Sequence, residues 1–358
     1  MKSIHPSILK QIQTGSKCVL ATVVRTSGST PQKPGSSALF GEEGLLAGTV
    51  GGGLLEGEVQ QLAAKILFSE SSDLVYFNLD SKQGEEGAIC GGEAYVLVDA
   101  NPVWHLAALA AMEDSLMKRK RGFLLTVLNK NQESDRFIAR YWMEGETNSV
   151  LLPELDPELK EAIRGQLKHA IRYGFMEVPF EPKVGNSTEI IYLEHMKPKP
   201  SLVIAGAGHV GRALAHLGAL LEFEVTAVDD RQEFANPVNI PDANHLVVEE
   251  VGAAMKEIDK GPDTYIVIVT RGHQHDAEAL KPCIGSKAAY IGMIGSSHKV
   301  AVLKKQFIEN KWATPDQWSD LHTPIGIAIG SKTVEEIAIS IAAQLVEVRS
   351  RKTTYHAK

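Results

Sequence analysis

One short stretch of the chain, VIAGAGHVGRAL, limits the possible folds more than any other. It places Gly206, Gly208 and Gly211 in GxGxxG spacing between an apolar run and a helical pattern. In this arrangement the first glycine turns tightly, the second lets a pyrophosphate approach the helix N-terminus, and the third lets helix and strand pack closely. Asp229, with Asp230 beside it, ends the next apolar run, where an acid that binds ribose is expected. The stretch predicts a Rossmann-type fold.

The rest of the C-terminal half indicates the same fold. Continuous apolar runs alternate with helical patterns, which is typical of strands buried on both faces of a parallel sheet. The expected strands are SLVIAG, EVTAVDD, HLVV, YIVIVT, AAYIGMIG and GIAI, and the expected helices cover about 209–221, 275–284, 297–310 and a long final segment. Thr333 and Glu336 have capping-box spacing at the start of that last helix. We therefore predict a Rossmann-like, doubly wound parallel sheet.

A stiff, polar segment marks the boundary between two domains. The sequence KPKP at 197–200 is unsuited to a core element. We therefore expect an N-terminal α/β domain over 1–197 and the Rossmann-like domain over 198–358. The N-terminal domain has a core at about 16–100 and a less defined extension over 101–197.

Strand and helix patterns follow each other irregularly in the N-terminal domain. The expected helices lie at about 5–14, 54–69 and 103–120, and Asp156 should cap a fourth that begins at Pro157. The expected strands are KCVLATVVRTSG, ALFG, DLVYFNL, EAYVLVD, GFLLTVLN, RFIARYWM and TEIIYLE. An α/β class follows for this half as well.

Three loops that contain several glycines interrupt the first hundred residues. They lie in VRTSGSTPQKPGSS, GTVGGGLLEGE and GAICGG, and they bring together the candidate residues Arg25, Gly51, Gly52, Gly53, Glu56, Cys90, Gly91 and Gly92. Each loop alone is ordinary turn chemistry, but together they suggest a groove in which glycine N–H groups face an anionic or heterocyclic ligand. Cys90 is either a reactive thiolate or a buried, inert cysteine. Cys90 and Glu56 are the candidate catalytic residues.

Two loops of the C-terminal domain, VTRGHQHD and GMIGSSHK, follow predicted strands and so lie where open α/β sheets bind ligands. Arg271 would add charge for a phosphate, and Ser296 belongs to a candidate anion site at a helix start. His273, His275 and Asp276 resemble metal ligands, but without further partners they are better explained as capping and hydrogen-bonding residues. The glycine turn either holds NAD or serves the architecture alone.

Composition excludes several classes of protein. A net charge of -7 over 358 residues gives no electrostatic footprint for nucleic acid. Three cysteines without CxxC spacing argue against a disulfide framework and a cysteine zinc site. The N-terminus lacks the apolar core of a signal peptide, and histidine and arginine interrupt the apolar stretch at 201–221. We expect no membrane span and a cytoplasmic location.

The set of motifs resembles the XdhC/CoxI family, the accessory proteins of xanthine dehydrogenase and related molybdenum hydroxylases. The resemblance covers about 16–100 and 198–349 and is weak in between. The motifs that carry it are GSTPQKPGSSALF, GTVGGGLLEG, GAICGG, VIAGAGHVGRALA, TRGHQHD, YIGMIGSSHK and PIGIAIGSKTVEEIAISIAAQLV.

This resemblance implies a maturation chaperone more than a catalyst. Such a protein binds the molybdenum cofactor, a pterin dithiolene with a terminal phosphate. It supports sulfuration of the cofactor with a cysteine desulfurase and hands it to the apo-dehydrogenase. The first glycine run would then bind the pterin, the second turn its phosphate or a nucleotide such as NAD, and Cys90 would be a soft ligand or anchor for molybdenum. We also expect a homo-oligomer.

The chain departs from the family pattern at two positions. Gln32 stands after Pro31 where many members have arginine, which removes one cationic ligand contact unless Lys33 replaces it. Leu54 stands where the carbon-monoxide dehydrogenase branch has cysteine, which favours the xanthine dehydrogenase branch. The alternatives are an NAD(P)-binding oxidoreductase, for which no evident proton donor pairs with a substrate cation, and a pure interaction protein.

Overall fold

The computed structural model describes residues 4–68, 71–79, 92–130, 136–146, 156–180 and 188–355. The chain divides into two compact units, Met1–Pro198 and Lys199–Lys358, which we call the N-terminal unit and the C-terminal unit. Among the described residues, no helix is both long enough and apolar enough to cross a bilayer.

The N-terminal unit contains four helices and nine strands among its described residues. The helices are α1 (His5–Gln13), α2 (Gly53–Ile66), α3 (Leu106–Met117) and α4 (Pro157–Tyr173), with a 3₁₀ turn at Pro102–His105. The strands are β1 (Val19–Gly28), β2 (Ser37–Gly41), β3 (Gly44–Gly48), β4 (Asp73–Asn78), β5 (Gly92–Asp99), β6 (Gly122–Lys130), β7 (Arg136–Glu144), β8 (Phe175–Val178) and β9 (Thr188–Met196).

These strands form two antiparallel sheets that pack face to face. The first has the order β3-β2-β1-β5-β4 and the second the order β7-β6-β9-β8. The apolar residues of α2 pack on the outer face of the first sheet, and those of α4 pack on the second. The α/β class is confirmed, and the extension that the sequence analysis described as less defined supplies the second sheet. Asp156 caps α4 through the amides of Glu158 and Leu159, as predicted.

A cluster of charged side chains lies between the two sheets. Asp99 is 1% exposed and forms an ion pair with Arg140, and His105 Nε2 lies 3.4 Å from the same carboxylate. Burial alone would raise the pKa of Asp99, but Arg140 and His105 outweigh it and lower the pKa to about 2. Arg140 and Glu194 also line a cavity of about 20 Å³. The interior of this unit therefore has room for an ordered water among polar groups.

Glu194 should make the stability of the protein depend on pH. Burial raises the pKa of its carboxyl from 4.5 to about 7, against the attraction of Arg140. A group whose pKa is raised by folding stabilises the native state below pH 4.5, and that contribution is lost as the pH rises to about 7. Glu194→Gln, which stays neutral, should therefore raise the free energy of unfolding at pH 8 by about 3 kcal/mol.

Denaturant unfolding at pH 5 and pH 8 measures this effect. Glu161→Gln, at a residue whose side chain is 76% exposed on α4, is the control and should change little at either pH. A Glu194→Gln effect of the same size at both pH values would contradict a titration of this carboxyl.

The C-terminal unit alternates strands and helices. Its strands are β10 (Ser201–Ala205), β11 (Glu224–Asp229), β12 (His245–Val248), β13 (Thr264–Ile268) and β14 (Tyr290–Met293). Its helices are α5 (His209–Leu220), α6 (Val251–Glu257), α7 (His273–Leu280), α8 (Ser297–Glu309), α9 (Pro315–Ser319) and α10 (Val334–Tyr355).

The five strands of this unit form one parallel sheet in the order β12-β11-β10-β13-β14. This is the start of the Rossmann order, with the direction of the connections reversing between β10 and β13. One apolar cluster joins α6, α7 and α8 to one face, and another joins α5 and α10 to the opposite face. The prediction of a doubly wound parallel sheet is confirmed.

The predicted strand GIAI is wrong. Residues 326–329 form no strand because their backbone groups turn toward α10 instead of a neighbouring strand. The amide of Gly326 donates to Gln344 Oε1 at 2.9 Å, and the amide of Ile327 donates to the carbonyl of Ser340 at 3.3 Å. The capping box at the start of α10 is present, since Glu336 accepts from the amide of Thr333 and Thr333 Oγ1 accepts from that of Glu336.

Candidate functional site

The first glycine run forms the turn between β3 and α2. Gly51, Gly52 and Gly53 have φ angles of 135°, 67° and 54°, a left-handed conformation that other residues adopt only with strain. A Cβ added at Gly52 or Gly53 would meet no atom within 4 Å, so this side of the turn is open. Among the described residues, the first amides of α2, those of Gly53, Leu54 and Leu55, have no hydrogen-bond acceptor. The turn therefore offers donors to an outside acceptor.

Glu56 holds this turn in place. Its Oε2 accepts from the Thr49 hydroxyl at 2.6 Å and from the amides of Val50 and Gly52 at 3.2 and 3.4 Å. The Thr49 hydroxyl in turn accepts from the amide of Gly51 at 3.0 Å. The carboxylate thus fixes the backbone just before the free helix amides and stabilises the conformation that presents them.

Two of the predicted loops touch at this turn, and the strand that follows the third reaches the first. A Cβ at Gly51 would lie 2.7 Å from Pro31 Cγ, so the glycine lets the two loops come together. A Cβ at Gly92, the first residue of β5, would lie 2.4 Å from the carbonyl oxygen of Ser29. Cys90 and Gly91 lie outside the described residues.

Arg25, predicted as a ligand contact, is paired within the unit. Its guanidinium forms a bidentate ion pair with Glu177, in which Nη2 donates to Oε1 at 2.6 Å, and it lies 5.5 Å from the ring centre of Tyr95. Hydrogen bonding to Glu177 raises the pKa of Arg25 further. Glu177 is 152 residues away in sequence, so no local sequence pattern predicts the pair.

The two described cysteines are packing residues. Cys18 is 5% exposed and Cys283 is fully buried, and neither is in a disulfide. Burial raises the pKa of Cys18 to about 11 and that of Cys283 to about 12. Neither thiol is ionised near neutral pH, so neither is a good nucleophile or metal ligand.

The second glycine turn, between β10 and α5, gives each glycine a separate task. Gly206 has a φ of 113°, and a Cβ there would lie 2.5 Å from the carbonyl oxygen of Val269 beyond β13. A Cβ at Gly211 would lie 1.9 Å from the carbonyl oxygen of Gly206. Gly208, the residue before α5, has no atom within 4 Å of an added Cβ. The first and third glycines serve close packing, and the second leaves the helix N-terminus open.

Asp229, predicted to accept from a ribose, forms its hydrogen bonds within this turn and the end of β11. It is 3% exposed, and its carboxylate accepts from the amide of Ala207 and from the amide, Nε and Nη2 of Arg231, at 2.8 to 3.1 Å. Burial alone would raise the pKa of Asp229, but Arg231 and Ala207 outweigh it and lower the pKa. The next residue, Asp230, is exposed and forms an ion pair with Arg271 at 2.8 Å.

A buried ion pair that the sequence did not announce lies beyond β13 and β14. Asp276 is fully buried, accepts from the Thr270 hydroxyl and pairs with Lys299 on α8. Burial raises the pKa of Asp276, against the contacts of Lys299 and Thr270. Ser296 caps α8 by accepting from the amide of Lys299 at 3.3 Å. Its hydroxyl therefore has a structural partner already.

The histidines of the same loops are not assembled into a metal site. His273 is exposed at the first position of α7, and His275 Nδ1 lies 3.4 Å from Glu278 on the same helix. Within the part of the chain that the structure describes, no group of three or more histidine, cysteine, aspartate or glutamate residues could hold a metal ion.

Known families match both ends of the chain. A family model described as the XdhC Rossmann domain matches residues 202–345, and one described as the XdhC and CoxI family matches residues 11–78.

Three individual proteins also match. A probable subunit of xanthine dehydrogenase from Bacillus subtilis (strain 168) is 23% identical over 98% of this chain and 99% of its own length. An uncharacterised protein, YqeB, from Escherichia coli (strain K12) is 37% identical over 42% of this chain, a match that spans 28% of YqeB. The crystal structure of a xanthine dehydrogenase from Bacillus halodurans is 26% identical with a TM-score of 0.75, covering 98% of this chain and 97% of that one.

Proposed function

Because the chain belongs to the XdhC and CoxI family, whose two models together match more than half of it, we propose that it is an accessory protein of xanthine dehydrogenase or a related molybdenum hydroxylase. It binds the molybdenum cofactor, supports installation of the terminal sulfur with a cysteine desulfurase, and delivers the cofactor to the apo-enzyme. The names of the relatives that match along their whole length support the partner.

The observation that carries the cofactor-binding part is the open turn Gly51–Gly53. A pterin is flat and rich in acceptor atoms, and a turn without side chains lets such a ring approach backbone donors closely. The free amides at the start of α2 supply those donors, and Leu54, which is 56% exposed, adds an apolar contact. Glu56 keeps the turn in its binding conformation.

The second glycine turn takes the phosphate end of the cofactor, or a nucleotide attached to it. Gly208 leaves the N-terminus of α5 open, and Arg271 follows a strand that ends at the same edge of the sheet. Both a helix N-terminus and an arginine favour an anion. Each unit thus offers one candidate binding surface of its own.

Cys90 is proposed as the sulfur ligand or anchor for molybdenum. We further propose a cytoplasmic location, since the three cysteines of the sequence show no spacing typical of an oxidising compartment.

An NAD(P)-binding oxidoreductase is the second candidate, favoured by the strand order of the C-terminal unit and by its glycine turn. The two functions predict different bound molecules. Purified from a host that makes the cofactor, the protein should carry molybdenum and a pterin that fluoresces after oxidation. Absence of both at any stoichiometry, together with saturable binding of NAD, would favour the oxidoreductase.

Gly53→Ala should weaken cofactor retention with little harm to the fold. The added methyl group meets no protein atom but extends into the open side of the turn. The left-handed conformation should cost about 1 kcal/mol of stability, and a disturbed backbone contact to the pterin should weaken binding about tenfold. Molybdenum content and oxidised pterin fluorescence of the purified variant measure the effect.

The matched control is Gly57→Ala, one turn further along α2. Gly57 has helical conformation and open space around an added Cβ, so alanine should raise stability by about 1 kcal/mol. Its cofactor content should equal that of the parent. If both variants retain the cofactor equally well, the pterin does not bind at this turn.

A further inference from the structure

An exposed ion pair joins the segments that follow β11 and β13, the strands on either side of the one that leads into the second glycine turn. Asp230 follows β11, Arg271 follows β13, and Nη2 of the arginine donates to Oδ2 of the aspartate at 2.8 Å. Strand β10 lies between β11 and β13, so the pair spans two strand spacings, roughly 10 Å. The turn Gly206–Gly208 leaves β10 at this point.

Asp230 is the carboxylate that remains accessible at the end of β11. Asp229 is buried and accepts four hydrogen bonds from Ala207 and Arg231. The Asp230 side chain is 38% exposed, and that of Arg271 is 53% exposed. Both side chains are therefore accessible to a ligand at this end of the sheet.

The strength of the pair decides what it can do. Ion pairs with this exposure change equilibrium constants by about fivefold or less, so this one contributes little to folding. Hydrogen bonds from a ligand hydroxyl to a carboxylate, or from an arginine to a phosphate, are stronger. A ligand that offers both groups can replace the pair at small cost.

We propose that the Asp230–Arg271 ion pair is a latch over the second glycine turn, which opens when a ribonucleotide ligand gives its ribose hydroxyls to Asp230 and its phosphate to Arg271. The proposal rests on the proposed role of this turn as the site for the phosphate or nucleotide end of the cofactor. It assigns the ribose contact to Asp230 in place of Asp229. It also makes Asp230 a competitor of any ligand that brings phosphate without ribose.

Because of that competition, removal of the Asp230 carboxylate should change the affinities for ADP and for pyrophosphate in opposite directions. The probes are inorganic pyrophosphate, ADP, CDP and 2′,3′-dideoxy-ADP, titrated against the full chain by calorimetry. The parent should bind ADP and CDP about tenfold more tightly than dideoxy-ADP binds. Asp230→Asn should abolish this preference and weaken the binding of ADP about tenfold. The same substitution should strengthen the binding of pyrophosphate about two- to fivefold, because Arg271 is released and a negative charge is lost.

Two further variants separate the latch from a general effect of charge. Arg271→Gln should weaken every probe about tenfold, since all of them carry phosphate. Asp242→Asn removes a carboxylate of similar exposure that pairs with His216 elsewhere on the unit, and it should change no affinity by more than about twofold.

Results that overturn the latch can be distinguished from results that overturn the proposed function. If Asp230→Asn weakens pyrophosphate as much as ADP, or if the parent has no preference for the ribose hydroxyls, the latch is overturned. If the parent binds none of the probes at millimolar concentration, the latch is also overturned, whereas bound molybdenum and pterin would still support the accessory role.

Discussion

Protein carrying Cys90→Ser is expected to lose nearly all of its bound molybdenum and pterin while it keeps its fold. Serine is close to cysteine in volume, but its hydroxyl stays protonated near neutral pH and is a hard oxygen donor. A molybdenum centre with sulfur and oxygen ligands is better matched by a soft thiolate. Metal analysis and oxidised pterin fluorescence of the purified variant measure the loss, and thermal unfolding checks the fold.

The other two cysteines are the controls. The thiol of Cys283 donates to the carbonyl of Ala279 at 3.1 Å, a contact that a serine hydroxyl can also make. Cys18 is buried in a cluster with Ile8 and Leu20. Because burial raises the pKa of both thiols to about 11 or 12, neither supplies a thiolate. Cys18→Ser and Cys283→Ser should retain cofactor at close to the parent level.

If Cys90→Ser retains and delivers cofactor as the parent does, the thiolate role is wrong. Cofactor binding in the N-terminal unit would then depend on the backbone of Gly51–Gly53 and on Glu56. Activation of the partner dehydrogenase by each variant distinguishes a defect in delivery from a defect in binding.

The sheet of the C-terminal unit could be predicted from the sequence because its strands are continuous apolar runs and its first turn has a glycine pattern with few alternative explanations. The segment 326–329 has the same apolar character, yet its backbone groups bond to α10. In the N-terminal unit, β3 escaped prediction because it is short and exposes Leu45 and Leu46 at 42% each. A strand at the edge of a sheet lacks the burial pattern on which such predictions depend.

The candidate site was predictable only in part, for a related reason. Glycine turns are local, and the positive φ values at Gly51–Gly53 and Gly206 follow from spacing that the sequence displays. The pairing of charged side chains is not local. Arg25 meets Glu177, and Asp276 meets Lys299, through the tertiary fold. Sequence therefore suggests which residues carry charge, but not which charges are already neutralised and which remain available to a ligand.

Gly208→Val is expected to abolish the binding of nucleotide probes while the C-terminal unit stays folded. Gly208 has a φ of -70° and a ψ of -166°, extended backbone that valine adopts readily, and an added Cβ meets no protein atom within 4 Å. Loss of glycine before the helix should cost about 1 kcal/mol of stability. The valine side chain would fill the space through which a pyrophosphate reaches the amides of α5. Titration with ADP and pyrophosphate measures the loss.

Gly211→Ala provides the contrast, because it tests architecture without touching the open side of the turn. Its Cβ would overlap the carbonyl oxygen of Gly206 at 1.9 Å, and backbone on both sides would have to move. Such overpacking should lower the free energy of unfolding by about 3 kcal/mol. If the turn serves architecture alone, Gly208→Val should have no effect in any binding assay. Only Gly211→Ala should then harm the protein, by lowering its free energy of unfolding. A turn that binds ligand predicts opposite rankings in the two measurements, with Gly211→Ala worse in denaturant unfolding and Gly208→Val worse in titration.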